Sequence, residues 1–334
     1  IELGHLSIMK RRGYMTGSAI GGAFSLFSVV IAVLRCLFGH MIYRVNKVLF
    51  VGMLGCLLSI AGRGEDLMRV IKDVEYAAIG DRSLELDLYV PKSDSVDGII
   101  VWIHGGAWRS GSKKKVPVLG FVEMGWAIAS VDYRLSGEAR FPAQIHDIKA
   151  AIRFLRAKSD AYGLRTDKVI IIGSSAGGHL AALAGVTNGH KYLEGKVGDF
   201  RNESSGIQGI VSLYGASNLT TILSQSTPHG LSVRVPALDL FIGGQPDVLV
   251  KETRLASPVF HVDANDPPLL MIHGDQDPQM PINQSHELEG KYESVGARVI
   301  FEALHGAKHG GEMFYDVERM DRMGRFMASV IEER

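Results

Sequence analysis

The stretch that most restricts this chain runs from Val169 to Leu183 and reads VIIIGSSAGGHLAAL. Val169, Ile170, Ile171 and Ile172 are consecutive β-branched residues, the pattern of a strand buried on both faces. Ala176 to Val186 is small and apolar and reads as a buried helix. Only a tight turn separates the two, with Gly-x-Ser-x-Gly at Gly173, Ser175 and Gly177. A strand that turns straight into a helix strains its turn residue, and glycines two positions either side let the crossing backbones pass without Cβ clashes. The serine hydroxyl is thereby presented at the strand's C-terminal end. The helix N-terminus beside it offers free N–H groups to a developing negative charge. Ser175 is therefore a candidate nucleophile, weighed against a plain glycine- and serine-rich turn.

The rest of the chain repeats this alternation. Asp73 to Ile79 and Ser83 to Val90 predict an antiparallel hairpin, because Leu84, Leu86, Leu88 and Val90 alternate with Glu85, Asp87 and Tyr89. Buried strands are expected over 98–103, 125–131, 208–214 and 269–273, and a last strand over 298–303. Helices are expected over 113–124, 142–158, 283–295 and 313–331. Strands alternating with helices predict an α/β fold with a doubly wound, mostly parallel sheet and helices on both faces. Residues 215–262 break the rhythm with Pro228, Pro236, Gly243, Gly244, Pro246 and Pro258. They predict helical pieces joined by loops, placed as a small lid or pocket wall.

Composition narrows the function. Thirty-six basic and thirty-six acidic residues cancel, which argues against a nucleic-acid partner. The two cysteines, Cys36 and Cys56, both lie in the N-terminal apolar region, so a disulfide scaffold, a zinc–cysteine site and a cysteine nucleophile are excluded for the body. The uncharged run 16–34 follows Lys10, Arg11 and Arg12 and is long enough to span a bilayer. A second run, 48–62, follows Arg44 and Lys47 and ends in Ser59-Ile60-Ala61, the basic flank, apolar core and small-residue exit of a secretory signal. The expectation is that residues 1–40 are a membrane anchor or an untranslated upstream extension, that 41–61 are a signal peptide, and that 62–334 are the catalytic domain. The protein would then be secreted or periplasmic, or membrane-anchored through the N-terminal apolar segment.

A serine hydroxyl is a weak nucleophile at neutral pH and needs a base, itself oriented by an acid. In a doubly wound sheet these come from loops at the C-terminal ends of later strands. Asp275 and Asp277 occupy one such loop, and His305 and His309 the next. Asp275, directly behind Gly274, suits a turn former, and Asp277 is favoured as the acid. His305 lies close to the strand end, whereas Gly310 and Gly311 let the loop carry His309 over Ser175, so His309 is favoured as the base. After the strand 98–103, His104-Gly105-Gly106 offers unobstructed N–H groups, so Gly105, Gly106 and Ala176 are the expected oxyanion hole. No histidine spacing suggests a metal site. Arg134 and Asp147 are expected to make structural polar contacts.

Taken together, these residues resemble the α/β-hydrolase fold, and within it esterases related to the hormone-sensitive-lipase and feruloyl- and acetyl-esterase-like groups. The matching text is His104-Gly105-Gly106-Ala107-Trp108, Asp132-Tyr133-Arg134-Leu135, Phe141-Pro142-Ala143-Gln144 with Asp147, Gly173 to His179, Gly274 to Asp277 with Pro281, and His309-Gly310. The resemblance implies Ser175 as nucleophile, Asp277 as acid, His309 as base, and an oxyanion hole from Gly105, Gly106 and Ala176. It implies no metal or organic cofactor. Ala107 departs from it, standing where many relatives have a third glycine. The implied activity is a serine carboxylester hydrolase acting on a small or polysaccharide-linked ester. The alternatives are a small amidase, formamidase or peptidase on the same fold, and a catalytically dead binding module.

Overall fold

The computed structural model describes residues 67–93 and 96–332. The expected segments 1–40 and 41–61 lie outside the described residues. No helix among the described residues is long and apolar enough to cross a membrane.

Among the described residues there are eight strands: β1 (Met68–Ile79), β2 (Arg82–Pro91), β3 (Gly98–Ile103), β4 (Trp126–Val131), β5 (Val169–Ser174), β6 (Gly209–Leu213), β7 (Leu269–Gly274) and β8 (Val299–Leu304). They form one sheet in the order β1-β2-β4-β3-β5-β6-β7-β8. β1 pairs antiparallel with β2, β2 pairs antiparallel with β4, and every other neighbour is parallel. The longer helices are α1 (Ala143–Ala157), α2 (Ala176–Gly185), α3 (Pro228–Ile242), α4 (Val250–Leu255), α5 (Asn283–Val295) and α6 (Val317–Glu332). From β3 the chain runs to β4 on one side and then crosses to β5 on the other. That reversal opens a crevice at the strands' C-terminal ends, where ligands bind in open α/β sheets.

The sheet has a core on each face. Val101, Ile171 and Met271 join Ile148, Leu180 and Leu288 of α1, α2 and α5. Ile100, Trp102, Ile170, Ile172 and Ile272 join Met323, Phe326, Met327 and Val330 of α6 on the other face. Neighbours along β5 thus enter opposite cores, which is why that strand is apolar throughout rather than alternating. The spacing of the α6 residues, i, i+3, i+4 and i+7, makes a single apolar stripe.

Three stretches differ by more than one residue from the sequence expectation. β1 begins five residues early, at Met68, on an exposed edge where little apolar patterning is required. Residues 113–124 form only a short turn at Leu119–Val122. There the Lys113 N–H donates to Asp132 (2.6 Å) and its carbonyl accepts from the Ser130 hydroxyl (2.7 Å), so neither group is free for a helix ladder. Pro117 further holds Val116 away from helical geometry. The last helix starts at Val317, not Met313, because the Asp316 carboxylate accepts the Arg319 N–H at 2.9 Å and caps it. Residues 215–262 form α3, α4 and shorter helical turns. α3 opens on Thr227, whose hydroxyl accepts the Gly230 N–H at 3.0 Å, and buries Arg234, Ala237, Leu238 and Phe241.

Candidate active site

Ser175 sits between β5 and α2 with φ 54° and ψ −119°, a region that side-chain-bearing residues rarely enter. Its N–H donates to the Leu213 carbonyl at 2.8 Å, and its carbonyl accepts the His179 N–H at 3.0 Å, so the turn is fixed to β6 and to the first turn of α2. The two glycines of the motif are steric necessities. A Cβ on Gly173 would lie 2.2 Å from the Gly177 carbonyl oxygen, and one on Gly177 would lie 2.1 Å from the Ile103 carbonyl oxygen.

The loops after β5, β7 and β8 bring three predicted residues into line. His309 Nε2 is 2.9 Å from Ser175 Oγ, and His309 Nδ1 is 2.6 Å from Asp277 Oδ2. The other Asp277 oxygen accepts the N–H groups of Gln279 and Met280, each at 2.8 Å. Burial alone would push this carboxyl up, but hydrogen bonds from His273 and His309 and the Met280 N–H hold it well below the usual carboxylate range. An ionised Asp277 accepts from Nδ1–H, which leaves Nε2 free to accept the serine proton. Asp275 and His305 form a separate pair at 2.8 Å, with Asp275 also accepting the Gly306 N–H at 2.7 Å. The His305 side chain is 96% exposed, so this pair belongs to the loop surface.

Gly105 and Gly106 follow β3 directly beside this turn. A Cβ on Gly105 would lie 3.3 Å from the Ser175 Cβ, and one on Gly106, at φ 117°, would lie 2.1 Å from the Ser110 carbonyl oxygen. Among the described residues, the N–H groups of Gly105, Gly106 and Ala176 donate to no backbone acceptor. Ala107, at φ 52°, occupies the left-handed region, which gives the physical reason a glycine suits that position.

This loop is held from below by a histidine. His179 is fully buried; its Nδ1 accepts the Trp108 indole N–H at 3.1 Å and its Nε2 donates to the Ala256 carbonyl at 2.7 Å. Burial lowers the imidazole to about 4, so at neutral pH it is uncharged and can play both parts. Trp108 stacks on Phe241 of α3 at 4.6 Å, tying the segment 215–262 to the glycine loop. His104 stacks on Tyr133 at 4.4 Å, and the Tyr133 hydroxyl donates to the His104 carbonyl at 3.0 Å. Arg134 clasps Asp147 with two side-chain bonds of 2.8 and 2.7 Å, away from Ser175's partners.

Ser175, His309, Gly105 and Gly106 line a cavity of about 1010 Å³, to which α3 contributes Val233. Tyr214 and Tyr315 also line it, with their hydroxyls 3.2 Å apart. The Tyr214 ring meets the His309 imidazole edge-on at 4.9 Å. Among the described residues, no group of three His, Cys, Asp or Glu is placed to hold a metal ion.

Sequence reasoning missed three supports. His273, read only as a strand end, lies 3.4 Å from Asp277 and reaches Ser285 at 2.7 Å. Arg234, buried on α3, donates to the Gln279 carbonyl at 2.7 Å behind the acid loop. Burial lowers its guanidinium to about 10, against the pull of the Asp277 charge. Tyr214 carries no local signal beyond its place after β6. An arginine in a mostly apolar helix was the one detectable sign of a buried charge partner.

The sheet, the strained serine turn and the loops above it define the α/β-hydrolase fold. The chain belongs to the BD-FAE family, whose model matches residues 86–292. It is 29% identical over 250 residues to the probable carboxylic ester hydrolase LipM of Mycobacterium tuberculosis, covering 72% of this chain and 56% of that protein. It is 31% identical over 227 residues to esterase LipC of the same organism, covering 64% and 53%. The chain thus spans about half the length of the curated relatives it matches. Among solved structures, a truncated carbohydrate esterase from gut microbiota is 31% identical with a TM-score of 0.70, covering 80% of this chain and 98% of that one. A bifunctional GH43-CE protein of Bacteroides eggerthii is 34% identical with a TM-score of 0.71, covering 78% and 35%.

Proposed function

We propose that this protein is a serine carboxylester hydrolase acting on a small or carbohydrate-linked ester. The observation that carries the reading is the unbroken line Ser175 Oγ–His309 Nε2 and His309 Nδ1–Asp277 Oδ2, opening on a large cavity. Ser175 attacks the ester carbonyl as His309 Nε2 takes its proton. The oxyanion is met by N–H groups of Gly105, Gly106 and Ala176, each such donor being worth about 3 kcal/mol in the transition state. Collapse expels the alcohol, which receives the proton from His309 and leaves an acyl group on Ser175. Water, deprotonated by His309, attacks the acyl carbon; the proton returns to Ser175 as the carboxylic acid departs. The named activities of the LipM, LipC and carbohydrate esterase relatives support an ester over an amide. The N-terminal apolar stretches support an exported enzyme.

The test compares p-nitrophenyl acetate with the corresponding aryl amide. Ester turnover should dominate, and Ser175→Ala should lower kcat by about 10⁴-fold or more. Equal turnover of both substrates would favour an amidase. Ester turnover that survives Ser175→Ala would overturn the nucleophile assignment.

A further inference from the structure

Among the cavity hydroxyls that the proposed chemistry leaves unused are those of Ser174, Tyr214 and Tyr315. Tyr214 follows β6 and Tyr315 lies just beyond the loop that carries His309; their phenol oxygens are 3.2 Å apart. Ser174 lines the same cavity beside both phenols. Their placement against the base is close. The Tyr214 ring packs edge-on against the His309 imidazole at 4.9 Å, and a Cβ on Gly310 would lie 3.2 Å from the Tyr214 hydroxyl. The rings themselves are held: Tyr214 against Phe314 at 4.5 Å, Tyr315 against Trp102 at 6.5 Å.

Hydrogen-bond accounting shows what such a cluster can accept. Each phenol and the serine carries one O–H donor and spare lone pairs. The bond between the phenols uses one proton, so the cluster retains both donors and acceptors for a guest. A guest hydroxyl, which also donates and accepts, matches this better than an alkyl group, which would strand buried polar atoms.

Chemistry says which part of a substrate arrives there. His309 Nε2 must reach the ester's alcohol oxygen to protonate it on departure. The carbon bonded to that oxygen therefore lies beside the imidazole, and substituents on the next carbon fall near the groups packed on that ring. Those groups include Tyr214 and, through it, Tyr315.

Building on the esterase reading above, we propose that Tyr214, Tyr315 and Ser174 form a subsite for a hydroxyl on the carbon adjacent to the ester-bearing carbon of the leaving alcohol, so that the enzyme discriminates between a 2-hydroxyalkyl ester and its plain alkyl counterpart. The subsite selects between alcohols through one hydroxyl; it does no chemistry itself.

The experiment uses 2-hydroxyethyl acetate and propyl acetate, which differ by a terminal hydroxyl in place of a methyl group. The ratio of kcat/KM for the first to the second is measured in the full chain and in Tyr214→Phe and Tyr315→Phe, with thermal unfolding recorded for each. The phenylalanine variants keep the rings and remove only the hydroxyls. Losing the hydrogen bond should cut the ratio about tenfold in at least one variant, mostly through KM. A ratio that moves less than threefold in both variants overturns the subsite, whichever way the separate rates change. If one variant fails to fold, the other and Ser174→Ala decide by the same criterion. Failure of the subsite is distinguishable from failure of the esterase reading. A parent enzyme that turns over both acetates and p-nitrophenyl acetate, with an unmoved ratio, loses only the subsite. A parent enzyme inert on all three loses both.

Discussion

On the proposed serine mechanism, Asp277→Asn should silence the enzyme through a single misplaced proton. Asp277 Oδ1 accepts two backbone N–H groups at 2.8 Å, from Gln279 and Met280, while Oδ2 faces His309 Nδ1 at 2.6 Å. An asparagine has one oxygen and one NH₂ to distribute between these places. Setting the NH₂ against the two N–H groups would leave both unsatisfied, at about 1–3 kcal/mol each. The amide oxygen therefore stays at Oδ1, and the NH₂ meets Nδ1. Nδ1 must then accept, the ring proton moves to Nε2, and Nε2 can no longer take the proton of Ser175. Where this geometry is kept and the tautomer is wrong, the loss is about 10⁴-fold in kcat, roughly 5.5 kcal/mol in the barrier. The assay is single-turnover acylation with p-nitrophenyl acetate, run beside Asp275→Asn. The second variant touches the pair with His305 and the Gly306 N–H, neither of which contacts Ser175 or His309, and should stay within about threefold of the parent. Stability supplies a second readout. The Asp277 carboxyl is depressed below its unfolded value of 3.8, so its stabilisation is present above that pH and lost as acid protonates it. The melting-temperature gap between parent and Asp277→Asn should thus be widest near neutrality and narrow progressively as the pH falls below 3.8. An Asp277→Asn variant that keeps more than a tenth of parental kcat, or an Asp275→Asn variant equally damaged, refutes the tautomer argument.

Other expectations follow from the same contacts. Gly177→Ala places a methyl 2.1 Å from the Ile103 carbonyl and should cost about 3 kcal/mol or more in urea unfolding. Gly290→Ala, on the open side of α5 with nothing near its Cβ, should gain about 0.5–1 kcal/mol in the same titration. Arg234→Met should lower kcat about tenfold by freeing the Gln279 carbonyl behind the acid loop, with Arg234→Lys partly restoring it; unchanged kcat in both would show that the loop holds itself. Burial, with the nearby Asp263 charge, pushes Asp266 up to about 6 against the pull of the Asp263 N–H. Its folded value exceeds the unfolded 3.8, so ionisation erodes stability as pH rises through this window. Asp266→Asn should accordingly raise the melting temperature at pH 8 and leave it nearly unchanged at pH 4.

Much of this arrangement was readable before any coordinates. β3, β5 and β7 are recognisable because a strand in the middle of a parallel sheet must be apolar on both faces, and few other contexts tolerate Ile170-Ile171-Ile172. The Asn283–Val295 helix is bounded as expected. Ser175, Asp277 and His309 were legible because they sit at strand ends, where local sequence and fold topology agree. What escaped was long-range. Lys113 looks like the start of a helix until Asp132 and Ser130 claim its backbone groups from another loop. Arg234 and His273 gain their meaning from Gln279 and Asp277, which are distant or turned back upon them. Asp316 ends one turn and starts α6 through a cap that apolar periodicity does not record.

The backbone of Ser175 carries an implication for anyone hardening this protein against heat. Its torsions, φ 54° and ψ −119°, suit glycine far better than serine, at a penalty of about 1–3 kcal/mol for the native residue. With Ser175 as the nucleophile proposed above, a library screened for thermal survival alone should drift toward glycine at position 175 and deliver robust but inert molecules. Catalytic competence must be selected in the same round, because at this residue durability and turnover pull in opposite directions.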